Sequence, residues 1–172
     1  MSHLLLIGFM GAGKSTVGRL VAERLDLPFV DLDSLIEQRD GRSVSEIFET
    51  DGEPAFRALE TSELESLKEL VPSVVSCGGG AVLSDANRVI LKALGLVVYL
   101  RVTAAETLAR VGDDSTRPLL AGAGGAAVAV RLLEAREALY SAIADAVVDT
   151  VDQTPQEVAD QVVSLVRERR AR

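Results

Sequence analysis

Gly8-Phe9-Met10-Gly11-Ala12-Gly13-Lys14-Ser15-Thr16 decides how the rest of the 172-residue chain is read. The spacing is G-x-x-x-x-G-K-[ST], the pattern of a phosphate-binding loop. An apolar run, His3–Gly8, comes before it, and a stretch with helical periodicity, Lys14–Leu25, comes after it. That order aims backbone N–H groups and the positive end of a helix at one point. Glycines let the backbone curl round phosphate oxygens where a Cβ would interfere. Gly11, Ala12, Gly13, Lys14, Ser15 and Thr16 are therefore the expected nucleotide contacts. Lys14 would reach the β- and γ-phosphates, and the Ser15 hydroxyl would sit on Mg²⁺. The chain has only two other lysines, Lys68 and Lys92, so the lysine of the loop is not drawn from a lysine-rich background.

Outward from the loop, strand-length apolar runs recur at Phe29–Asp31, Val74–Cys77, Leu96–Val102 and Ala146–Asp149. Such short, unalternated runs suit strands buried on both faces of a parallel sheet. Helix signals lie between them. Ser43 with Glu46 and Thr103 with Glu106 read as capping boxes, and Thr154-Pro155-Gln156-Glu157 adds a proline at the first helical position before an amphipathic stretch to about Arg170. Alternating strands and helices predict an α/β layer fold with a parallel sheet, and the length fits one domain.

Composition narrows the function classes. Eighteen basic against twenty-six acidic residues give a net charge of −8, and four Phe, two Tyr and no Trp leave little for base stacking. A nucleic-acid backbone is then a poor partner. The single cysteine, Cys77, excludes an internal disulfide, and the single histidine, His3, excludes a multi-histidine metal centre. No run of eighteen apolar residues and no signal-peptide pattern occurs, so the expected compartment is the cytoplasm, without membrane attachment.

Polar residues at the strand ends give the candidate chemistry. In an extended backbone Asp31 and Asp33 point to one side, where one carboxylate could organise a metal through its waters and the other take a hydroxyl proton; equally, Asp33 could cap a helix starting at Ser34. Arg57 offers a planar two-bond fork to a carboxylate, but spacing alone favours surface pairs with Glu53 and Glu60 on its own helix. Gly78-Gly79-Gly80 allows close approach of a ligand to backbone, or is a plain tight turn. Ser76 is a candidate for a metal-bound water, and Cys77 reads as a small core residue. Arg110 ends a predicted helix, Arg117 stands before the glycine-rich Ala121–Val130, and Arg136 follows in the next helix; each could instead pair with nearby acids.

Taken together, from about Leu4 to the last helix, these motifs resemble the shikimate kinase family. Phe56-Arg57 after Gly52-Glu53, then Gly78-Gly79-Gly80, then Arg117-Pro118-Leu119-Leu120 is far more specific than a phosphate loop alone. The resemblance implies a five-stranded parallel sheet of order 2-3-1-4-5 flanked by helices, a P-loop kinase of the nucleoside monophosphate kinase type. It implies one domain over residues 1–172, with a substrate region at about 33–61 and a lid at about 112–125. The implied reaction moves the γ-phosphoryl of ATP to the 3-hydroxyl of shikimate with Mg²⁺, a step towards chorismate and the aromatic amino acids, in a monomer acting on small molecules.

Carried over residue by residue, Asp31 and Ser15 resemble the metal-side pair, and Asp33 the residue that binds the substrate hydroxyls and serves as base. Arg57, Arg136 and Gly78, Gly79 and Gly80 resemble the substrate pocket, with Phe48 and Phe56 beside the ring. Arg117 resembles the lid arginine that joins Lys14 on the phosphates, while Arg110 and Pro155 resemble positions flanking adenine. Gly122–Ala127 departs from relatives in carrying almost no charge. Two rivals remain at this stage: a kinase for gluconate or a nucleoside monophosphate, which would not need the Arg57–Gly-Gly-Gly–Arg136 set, and a nucleotide-binding module without turnover.

Overall fold

The computed structural model of the chain describes residues 2–111 and 125–171. Its frame is a sheet of parallel strands in the order β2-β3-β1-β4-β5, formed by β1 (His3–Ile7), β2 (Phe29–Asp31), β3 (Val74–Ser76), β4 (Gly95–Arg101) and β5 (Ala146–Asp149). The expected topology is the observed one. The apolar run of β1 takes the central place, with Leu5 opposite Val75 on one side and Val97 on the other. Every residue of β1 is buried. Each leucine so placed contributes about 1.5–3 kcal/mol of burial.

Helices fill the crossovers: α1 (Lys14–Leu25), α2 (Leu32–Asp40), α3 (Val44–Thr50), α4 (Gly52–Ser66), α5 (Asp85–Leu94), α6 (Ala104–Val111), α7 (Gly125–Ile143) and α8 (Pro155–Arg170). Their starts follow the side-chain chemistry. Ser43 and Thr154 form complete capping boxes with Glu46 and Glu157. Thr103 forms only half of one: its hydroxyl accepts from the Glu106 N–H at 3.3 Å, whereas the Glu106 carboxylate pairs with Arg110 at 2.7 Å. The core runs through Leu5, Leu6, Val75, Val97 and Leu100 of the sheet to Val21, Leu64, Leu91 and Val162 of the helices. Because all strands run the same way, their C-terminal ends share one edge, where α/β sheets bind ligands.

The one histidine is structural. His3 is buried, its Nδ1 accepts the Ser73 N–H at 3.1 Å, and its Nε2 stands 2.9 Å from the Leu67 carbonyl. An accepting Nδ1 puts the proton on Nε2, which donates to that carbonyl. Opposite His3, α5 turns directly into β4 at Gly95. A Cβ on Gly95 would lie 2.0 Å from the His3 carbonyl oxygen, so the two backbones meet only because residue 95 is glycine. Replacing Gly95 by Ala should cost about 1–3 kcal/mol by overpacking, read as a lower denaturation midpoint; an unchanged midpoint would show that the β1–β4 register tolerates the group.

Candidate active site

The phosphate loop is built at the end of β1. Gly11 and Gly13 adopt positive φ angles of 78° and 82°, and Gly13 is the N-cap of α1. Such angles are strained for residues with a side chain, so the loop's shape follows from its glycines. The Lys14 ammonium folds back along the loop and donates to the carbonyls of Gly8 at 2.9 Å and Phe9 at 3.0 Å. Beside it opens a cleft of about 420 Å³, lined by Gly11 to Thr16 and by Arg110, Thr150, Gln153, Pro155 and Val158. Arg110 is clamped at its edge: it donates to the Gly11 carbonyl at 3.2 Å, the Thr150 carbonyl at 2.7 Å and the Glu106 carboxylate at 2.7 Å.

Three oxygen side chains cluster where β1, β2 and β3 end. The Ser15 hydroxyl donates to Asp31 Oδ2 at 2.6 Å and lies 3.1 Å from the Ser76 hydroxyl. Among the described residues no three His, Cys, Asp or Glu gather into a metal cage. One carboxylate with hydroxyls is the donor set of a hard cation that completes its shell with phosphate oxygens and water, so these residues fit Mg²⁺.

Asp31 and Asp33 reach the cleft by another route than the extended backbone expected from the sequence. Asp31 ends β2 and is itself the cap of α2, accepting from the Ser34 N–H at 3.3 Å, and Asp33 stands in the first helical turn. The cap is thus Asp31 and not Asp33, because the strand ends two residues earlier than that pattern needs. Asp33 Oδ1 is buried and has no hydrogen-bond partner. Burial raises its pKa, the neighbouring Asp31 charge adds to this, and Lys14 and Arg57 pull it back.

The three glycines after β3 make room for these groups. A Cβ on Gly78 would sit 2.9 Å from Asp33 Oδ1 and 3.1 Å from Glu60 Oε1, and one on Gly80 would sit 2.1 Å from the Arg57 guanidinium. Gly79 turns its carbonyl to α7, where it accepts from the Tyr140 hydroxyl at 2.5 Å and from Arg136 at 3.4 Å. Arg57 holds both intrahelical partners suggested by spacing, Glu53 at 3.1 Å and Glu60 at 2.9 Å. The second is no surface pair, because Glu60 is fully buried. Phe56 is buried beside Arg57, its ring 4.8 Å from that of Phe48. Burial also drives the Cys77 thiol far above its ordinary range, so it is no nucleophile.

The fold thus brings Lys14, Ser15, Asp31, Asp33, Arg57, Gly78, Gly79, Gly80 and Arg136 to one edge, with Arg110 and Pro155 in the adjoining cleft. Arg117 and all but the last residue of the expected lid at about 112–125 lie outside the described residues. Sequence reasoning missed Thr150, Gln153, Tyr140 and Asn87, and saw Glu60 only as an ordinary ion-pair partner. Tyr140 had a signal: four residues after Arg136, it shares that residue's helix face.

Burial pushes the Glu60 carboxyl up to about 7 against the pull of Arg57 and Asn87, with Asp33 adding to the rise. An acid whose folded pKa exceeds its unfolded value stabilises the fold at low pH and loses that contribution as pH rises through the folded value. Stability should therefore fall between about pH 4.5 and 7, and Glu60→Gln should flatten that slope in thermal denaturation curves. Identical slopes for the two chains would remove Glu60 from the balance.

Comparison with known proteins places the chain, over nearly its whole length, in one family. The family model "Shikimate kinase" matches residues 10–167. The shikimate kinase of Vibrio parahaemolyticus is 44% identical over 97% of each chain, and that of Geobacter sulfurreducens is 45% identical over 96% of this chain and 91% of the other. Among solved structures, the shikimate kinase from Acinetobacter baumannii in complex with shikimate superposes with a TM-score of 0.95 at 35% identity, covering 100% of this chain and 96% of that one. A family match over most of the length, joined to a superposition that covers the whole chain, means that this chain belongs to the shikimate kinase family of ATP-dependent phosphotransferases.

Proposed function

We propose that the chain transfers the γ-phosphoryl group of ATP to the 3-hydroxyl of shikimate, and that the residues at the sheet edge divide the work as follows. The observation that carries this assignment of roles is the convergence of Arg57 and Arg136 on the Gly79–Gly80 segment beside Asp33. Two guanidiniums at one glycine segment make a clamp for a carboxylate. A nucleoside monophosphate acceptor has no carboxylate to fill it, and here it stands next to the unpartnered Asp33 Oδ1.

In this reading the nucleotide lies in the cleft between the phosphate loop and the Thr150–Pro155 connection, with Arg110 and Pro155 at its base end. Gly11, Ala12, Gly13 and Thr16 cradle the phosphates, and Lys14 exchanges its bonds to the loop carbonyls for bonds to phosphate oxygens. Ser15 and Asp31, with Ser76 behind them, hold Mg²⁺, which when bound offsets charge on the phosphate oxygens. Arg57, Arg136 and the Gly78, Gly79, Gly80 segment hold the shikimate carboxylate and ring, in a substrate region spanning about 33–61. Asp33 Oδ1 accepts the hydrogen of the attacking hydroxyl and aligns that oxygen for in-line displacement. Its raised pKa, due first to burial and then to the Asp31 charge, makes it a better proton acceptor than an ordinary aspartate, while Lys14 and Arg57 oppose the rise. Arg117 adds positive charge to the transferring group. One copy of the chain, as a single domain, supplies all of these residues, and both substrates are small molecules of the cytoplasm. No described helix is long and apolar enough to cross a membrane.

ADP release measured with shikimate, gluconate and AMP as acceptors tests the assignment. Shikimate alone should support turnover. Arg57→Ala should weaken shikimate use by about 2–5 kcal/mol while leaving the KM for ATP nearly unchanged. Turnover with gluconate or AMP, or an Arg57→Ala enzyme with unaltered shikimate kinetics, would contradict it.

A further inference from the structure

Arg57 is held from two sides of very different strength. Glu53 is more than half exposed, so its pair with Arg57 is weak, whereas Glu60 is fully buried and meets Arg57 Nη1 at 2.9 Å. The place of the guanidinium therefore depends on the place of the Glu60 carboxylate. One more group touches that carboxylate: Asn87 of α5, itself fully buried, donates from Nδ2 to the same oxygen, Oε2, at 3.1 Å. Thr61 supports this orientation of the amide: its hydroxyl lies 2.6 Å from Asn87 Oδ1 and 2.9 Å from the Arg57 carbonyl, two acceptors that share its one hydrogen. The reverse orientation would set an amide oxygen against a carboxylate oxygen, two acceptors face to face.

We propose that Asn87, oriented by Thr61, is a positioning residue for substrate binding: through Glu60 it fixes where the Arg57 guanidinium stands against Gly80. Because both partners of Glu60 Oε2 are donors, that oxygen faces them without a proton. Any proton on Glu60 sits on Oε1, the buried oxygen that has no partner. The Asn87 donor thus favours the charged form of a carboxylate that burial alone would neutralise. It also stops the carboxylate from rotating about its last bond. Without the donor, Arg57 would fall back on Glu53 and lose the close seat on Gly80.

This inference rests on Arg57 as the carboxylate anchor, so its test runs Arg57→Ala beside two other variants. Asn87→Asp keeps the shape and the acceptor for Thr61 but replaces the donor by a second acceptor. Thr61→Val removes the group that orients the amide. Both should raise the KM for shikimate, Asn87→Asp on the order of tenfold, with the KM for ATP changed by no more than about twofold and kcat less affected than KM. If Asn87→Asp does not fold, Thr61→Val decides. Unmoved shikimate KM values in the folded variants, with Arg57→Ala impaired, would overturn the role of Asn87 alone. Shikimate and ATP KM values rising together would also overturn it, since general loosening of the fold gives that pattern. An Arg57→Ala enzyme with normal shikimate KM would overturn the anchor and this inference with it.

Discussion

The site depends on a steric vacancy. Arg57 can lie against the backbone after β3 only because residue 80 has no side chain: a Cβ there would fall 2.1 Å from the guanidinium. Gly78 does the same for two carboxylates, which would meet its Cβ at 2.9 and 3.1 Å. Gly78 and Gly80 thus let one cation and two acids from α2 and α4 come up against a buried strand end. Bulk at either position would push the charged groups back towards solvent, where ion pairs contribute little and a substrate carboxylate is already hydrated.

That crowding sets the electrostatics. Asp33 and Glu60 are both buried acids whose pKa values are raised chiefly by burial; the Asp31 charge adds to the rise of Asp33, and the Asp33 charge to that of Glu60. Arg57 lowers both, and Lys14 lowers Asp33. The arrangement keeps a carboxylate of increased basicity between the phosphate loop and the proposed carboxylate clamp. It also leaves one oxygen on each acid without a partner. Unpartnered buried oxygens are costly in a folded chain, and their persistence here marks the place where a ligand's hydroxyl groups can supply the missing hydrogens.

Much of this was legible in the sequence, for reasons that differ by residue. The phosphate loop could be read because its function fixes residue types at fixed spacing, and His3–Gly8 before it had to be a buried strand. The strand positions, each to within a residue at either end, and the helix starts at Ser43 and Thr154 followed from local rules. Asp31 misled, because the end of β2 is set by where α2 can be capped and not by the alternation of an extended chain. Arg57 was ambiguous in principle: the spacing that predicts its pairs with Glu53 and Glu60 says nothing about burial, and only the tertiary fold turns Glu60 from a surface partner into a buried one. Asn87 lay beyond reach altogether. Its contact with Glu60 spans 27 residues and joins two helices, with no motif to announce it.

A crystal structure of the chain with shikimate and a non-transferable ATP analogue tests the pocket most directly. The substrate carboxylate should lie within hydrogen-bond distance of both Arg57 and Arg136, with the 3-hydroxyl against Asp33 and facing the terminal phosphate above Lys14. A carboxylate bound away from the Gly78–Gly80 segment, with Arg57 still paired to Glu53 and Glu60 and Arg136 still on the Gly79 carbonyl, would contradict the site as described.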